Sequence, residues 1–108
     1  MSFEDNLEKV KLIDTYGRLL TDKQYKIISE YYFDNLSLAE IGENYGISRQ
    51  AVSDSITKSL KSLQSFENIL GICHKQDKLE IDLTDILNST KDENVISKIK
   101  QIIEHIRS

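Results

Sequence analysis

Residues 36–61 read LSLAEIGENYGISRQAVSDSITKSLK, a stretch with the start and stop signals of two short helices joined by a tight turn. Ser37 followed by Glu40 is a capping box, in which each side chain accepts from a backbone N–H that the start of a helix leaves without an intrahelical partner. The first helix therefore starts near Leu38. Gly46 follows Tyr45 where the helix end calls for a left-handed residue, and Ser48 offers a fresh N-cap before Arg49-Gln50-Ala51-Val52. The short gap between the helices suits a helix-turn-helix. Leu38, Ile41, Tyr45, Ile47, Val52, Ile56 and Leu60 have the spacing to seal the pair together, and Gly42 sits where a small side chain lets the second helix come close.

The pattern continues beyond the motif in both directions. Val52, Ile56, Leu60, Leu63, Phe66 and Leu70 extend one apolar stripe, so the second helix is expected from Arg49 to about Asn68, roughly 30 Å long at 1.5 Å per residue, with Gly71 as its stop. Upstream, Leu7, Val10, Ile13, Tyr16 and Leu20 predict one amphipathic helix over 5–20, with Leu12 and Leu19 beside the stripe. Thr21 and Gln24 form a second capping box, opening a helix with Tyr25, Ile28, Tyr31 and Tyr32 that ends near Phe33, where Asp34-Asn35 supplies turn chemistry. These aromatics could stack on bases, but at helical spacing they read as core.

Downstream, residues 72–78 show no decisive pattern. Thr84–Leu87 fits a short helix and 88–92 a polar loop. From Glu93 to Arg107, Val95, Ile96, Ile99, Ile102, Ile103 and Ile106 form a continuous stripe that must be buried. It can pack on its own chain, or form a homodimer through Val95, Ile99, Ile102, Ile103 and Ile106; the stripe is too short to establish a coiled coil. The expected fold is all-α: a helix-turn-helix domain over 1–75 with a long recognition helix, then a C-terminal helical extension over 76–108 for packing or dimerisation.

Composition agrees. Of 108 residues, 39% are apolar and 30% charged, with no proline and only four glycines to break helices. No apolar run is long enough to span a membrane, and MSFEDNLEK lacks the order of a signal peptide, so a cytoplasmic protein is expected. The lone cysteine, Cys73, cannot form an internal disulfide, which suits a reducing compartment. Cys73-His74 invites a metal reading, but His105 is the only other histidine and no spaced ligand set completes a tetrahedral site. No metal and no cofactor are expected.

The formal net charge is −4, which opposes indiscriminate binding to nucleic acid. Its distribution is uneven: residues 48–75 carry four Lys/Arg against two Asp/Glu, whereas both flanking segments are net acidic. A recognition helix places its first turns in the major groove, where Arg takes guanine O6 and N7 and Gln takes adenine N6 and N7. Arg49 and Gln50 are placed for this. Ser48 and Ser53 can bond phosphate or base edges, Thr57 continues the polar face, and Lys58 and Lys61 suit phosphates. Asp54 is the awkward member: it can accept from cytosine N4, repel the backbone or pair with Lys58.

The run from Leu19 to Gly71, with SLAEIGENYGISRQAV its most specific part, resembles the YlxM family of small bacterial helix-turn-helix proteins, and its core is similar to the fourth region of sigma factors, which reads promoter DNA. The resemblance covers roughly residues 5–72. It implies a sigma-factor-like bundle with a recognition helix over 48–61, and Arg49, Gln50, Ser53, Thr57 and Lys58 as DNA contacts. It also implies a link, through gene neighbourhood, to the signal recognition particle pathway. Two readings stand: a sequence-specific DNA-binding regulator, and a non-catalytic adaptor holding protein or RNA of that particle. No activated Ser, Cys or His set, paired-carboxylate motif or phosphate loop supports an enzyme.

Overall fold

A computed structural model describes residues 3–108, with side chains from Asn6 onward. Among them are six α-helices and no strand: α1 (Phe3–Tyr16), α2 (Asp22–Tyr32), α3 (Leu38–Tyr45), α4 (Arg49–Leu70), α5 (Ile72–Ser89) and α6 (Glu93–Arg107). A 3-10 turn, Gly17–Leu19, follows α1. The chain divides at Gly71 into two compact units.

In the first unit α4 is the spine against which α1, α2 and α3 all pack. Its inward side buries Val52, Ile56, Ser59 and Leu63, which meet Ile13, Tyr16 and Leu20 from the first helical segment, Ile27 and Ile28 from α2, and Ile41 from α3. The Tyr16 hydroxyl donates to Glu67 Oε1 at 2.6 Å, and its ring lies 6.1 Å from that of Phe66, fastening α1 to the far half of α4. The expected core stripe holds for Ile13, Tyr16 and Leu20. Leu7 is exposed instead; α1 stops at Tyr16, short of the expected Leu20, and Leu19, beside the stripe, is exposed at the end of the 3-10 turn. The α2 capping box forms as expected, and Asn35 adopts φ 58° in the following turn, a left-handed conformation that asparagine tolerates.

Ser59 takes an interior place in the α4 stripe that apolar spacing alone gives to Leu60, which is half-buried. Its Oγ finds no hydrogen-bond partner among the described residues. A small residue there lets neighbouring helices come close, at the cost of an unsatisfied hydroxyl.

The second unit is a helical hairpin. Gly71, at φ 63°, ends α4, and α5 starts at the next residue. One continuous 18-residue helix replaces the undecided segment and short helix expected for 72–87. Ile81 lies exposed on this helix. After the loop at Thr90–Lys91, Asp92 Oδ1 accepts from the backbone N–H groups of Asn94 (2.9 Å) and Val95 (3.3 Å), starting α6 where the periodicity places it. Ile99 is the one buried apolar residue of α6, which packs on α5.

The turn between α3 and α4 is the tightest point. A Cβ on Gly42 would stand 2.6 Å from the Ile47 carbonyl oxygen, a backbone atom that cannot swing aside. The small residue is needed by the turn itself, one step earlier than the second helix. Gly42→Ala is expected to destabilise the fold by about 2 kcal/mol or more, lowering the thermal midpoint by roughly 10 °C. Ser59→Ala, which removes an unsatisfied hydroxyl, is expected to raise it by roughly 5 °C, about 1 kcal/mol. Circular-dichroism melts of the two variants check both signs.

Candidate nucleic-acid interface

The helix-turn-helix is built by local chemistry. Ser37 and Glu40 cap α3 reciprocally, with N···O distances of 3.0 and 3.1 Å. At the other end Gly46 is left-handed (φ 66°), and the Ile47 N–H reaches back to the Gly42 carbonyl at 2.9 Å, the six-to-one bond of a Schellman-type end. Ser48 Oγ then accepts from the Ala51 N–H at 3.0 Å and starts α4. Glu30 of α2 holds the phenol of Tyr45, at the end of α3, above its usual range, with burial adding to the effect. Tyr45 therefore stays a neutral hydroxyl beside that carboxylate.

Ser48 is the N-cap of α4, and the other residues assigned to the reading face occupy one half of that helix's circumference. At about 100° per residue, Gln50, Ser53, Thr57 and Lys61 run along the middle of that side, Arg49 sits at one edge and Lys58 at the other. Arg49, Gln50, Thr57, Lys58 and Lys61 are exposed, and Ser53 is half-buried. Ser48 is exposed too; its oxygen is used in the cap, but its O–H can still donate. The strip spans roughly 18 Å at 1.5 Å per residue.

Two features escaped the sequence reading. Asp54 takes a partner other than Lys58: Gln50 Nε2 donates to Asp54 Oδ1 at 2.9 Å, one turn away on the same face. The carboxylate restrains the amide, whose carbonyl oxygen and second N–H are not used in that bond. Gln and Asp four apart on a helix are a known pairing, so the signal was present. The second feature is a shallow groove of about 200 Å³ beside the strip, where Ser53 and Thr57 meet Lys9, Tyr31 and Tyr32. Burial, and next the charge of Tyr31, push the Tyr32 phenol up, so it remains a donor there. Lys9 comes from α1, too far away in sequence for spacing to connect it with α4.

No cluster of three or more His, Cys, Asp or Glu able to hold a metal occurs among the described residues, and no helix among them is long and apolar enough to cross a membrane. Cys73 is a half-buried thiol on α5.

The sequence matches, over residues 3–105, the family described as "UPF0122: Putative helix-turn-helix protein, YlxM / p13 like". The chain belongs to the UPF0122 family. A UPF0122 protein of Malacoplasma penetrans (strain HF-2) is 42% identical over 88 residues, covering 82% of this chain and 78% of that protein. One from Clostridium perfringens (strain 13 / Type A) is 41% identical over 108 residues, covering 95% and 96%. One from Thermoanaerobacter sp. (strain X514) is 37% identical over 110 aligned positions, covering 95% and 94%. Family similarity therefore reaches past the expected limit near residue 72 and takes in most of the α5–α6 hairpin. The family description is of a helix-turn-helix protein and names no reaction.

Glu40 is exposed, and its carboxyl is held below the usual range, first by the Ser37 backbone N–H and then by the Ser37 hydroxyl. A depressed carboxyl contributes its full stabilisation above its unfolded-state value and loses it as pH falls through the folded one. Glu40→Gln keeps an acceptor but cannot titrate. It is expected to fold normally at neutral pH and to lose less of its thermal midpoint than the wild type between about pH 5 and about pH 3.

Proposed function

We propose that this protein is a cytoplasmic, sequence-specific DNA-binding regulator that reads duplex DNA through residues 48–61 and carries no catalytic activity. The observation that carries the reading is the exposed polar strip Gln50, Ser53, Thr57 and Lys61 on the first half of the second helix of a helix-turn-helix, with the opposite side of that helix buried. In this reading Arg49 and the oriented Gln50 address base edges, Ser48, Ser53 and Thr57 bond phosphates or base edges, and Lys58 and Lys61 bind phosphates. Asp54 is a positioning residue for Gln50. Its charge, with the acidic remainder of the chain, keeps binding to arbitrary duplex weak.

The acidic total also supports a second reading, a non-catalytic adaptor that holds protein or RNA of the signal recognition particle machinery. The two are separated by selecting duplexes from a random pool beside a binding assay on the particle's RNA. Enrichment of a duplex motif with no RNA retention supports the regulator. Retention of the RNA without any enriched duplex overturns it.

On an enriched duplex, Arg49→Ala and Gln50→Ala are expected to cost about 1–3 kcal/mol each and to relax preference at single base positions. Lys61→Ala is expected to weaken all sequences alike and to make the salt dependence shallower by about one unit of slope. Asp54→Ala separates charge from positioning: affinity for unrelated duplex rises, while the ratio of enriched to unrelated binding falls. Titrations at several salt concentrations check these directions.

A further inference from the structure

The α5–α6 hairpin has more apolar surface than its own packing uses. On α6, Ile99 is buried and Ile96 and Ile103 half-buried on the side packed against α5, whereas Val95 (36% exposed) and Ile102 (46%) form a separate line seven residues apart. On α5, Leu83 and Leu87 are half-buried, while Leu79 (48%) and Ile86 (49%) form another line, also seven apart. At about 100° per residue, each exposed line stands a quarter-turn or less from its helix's packed side. Because the helices are antiparallel, both offsets turn the lines toward the same side of the hairpin. The result is one open apolar face, and each helix has the two contact stripes of a four-helix bundle member.

We propose that this face is covered by the same face of a second copy of this chain, α5 packing against the partner's α6 in a two-fold four-helix bundle. Register and charge single out this occupant. The hairpin folds back between Ser89 and Glu93, so by residue count Ile86 comes within about one residue of the level of Val95, and Leu79 of Ile102. A two-fold axis along the hairpin preserves those levels and sets Ile86 on the partner's Val95 and Leu79 on the partner's Ile102. The same operation brings Asp82, on the outer flank of α5, level with the partner's Lys98 on the outer flank of α6. Both residues are exposed and face away from each other within one hairpin. Lys78 Nζ donates to both Asp82 oxygens, at 2.8 and 3.0 Å, but the pair is exposed, so the carboxylate can exchange partners at little cost. An interface in which each line meets the other's counterpart twice is isologous, which fits a second copy.

The test is the mass of the full chain in solution, without any nucleic acid, so its outcome is independent of the DNA reading. Sedimentation equilibrium is expected to give twice the 12.5 kDa chain mass at micromolar concentration. Ile102→Glu is expected to give the single mass with its helical circular dichroism intact. D82K and K98D are each expected to weaken the dimer about tenfold, because each sets like charges together twice. An equal mixture of the two is expected to recover wild-type affinity, since the mixed dimer restores both unlike pairs. A wild-type mass of 12.5 kDa at several hundred micromolar, or a mixture no tighter than its components, overturns the proposal.

Discussion

The approach of the Ile47 carbonyl to Gly42 is the constraint on which the first unit depends. A Cβ at residue 42 would lie 2.6 Å from that oxygen, while the Gly42 carbonyl accepts from the Ile47 N–H at 2.9 Å. The same residue thus supplies the space and the hydrogen-bond acceptor for the turn. Gly46 adds the left-handed backbone that reverses the chain, and Ser48 caps the new helix. Together these contacts fix where α4 begins and which way it leaves α3. Rotation of α4 about its axis is then set by Val52, Ile56, Ser59 and Leu63, which leave only one side facing solvent.

That division of α4 makes it the spine of the first unit and, in the proposed function, its reading surface. Its inner side is fixed by packing against three helices and, farther along, by Tyr16 on Glu67 and Phe66. The outer side then presents polar side chains on a rigid backbone support, which lowers the entropy lost on engaging a ligand. Within the outer side, Asp54 restrains Gln50. A carboxylate on a nucleic-acid-reading helix weakens attraction for phosphate but narrows the geometry of a base-reading amide. In the proposed function, that exchange favours discrimination over strength, in keeping with a chain of net charge −4.

Much of this could be read from the residues because it rests on chemistry a few positions apart. Ser37 with Glu40, Thr21 with Gln24, Gly46, Ser48 and Gly71 each determine a helix end through contacts with near neighbours, and each is found where the sequence places it. The features that were harder to read depend on distant partners or on size rather than polarity. Ser59 is interior although it is polar, and hydropathy alone gives no sign of that. Helix α5 was obscured because its apolar residues serve two faces, one toward α6 and one outward, which blurs a single period. The reading strip follows from helical spacing alone, whereas the groove with Lys9, Tyr31 and Tyr32 exists only after α1 and α2 have packed beside α4.

The central claim, that the first half of α4 is the ligand-reading surface, is tested most directly by amide chemical-shift mapping of the full chain. The isotope-labelled protein would be titrated at low salt with a duplex enriched from a random pool. The largest shifts are expected on residues 48–61, with smaller ones near Lys9 and Tyr32 across the groove and little change on α5 and α6. Shifts concentrated on α5 and α6, or a spectrum that no duplex perturbs, would contradict it.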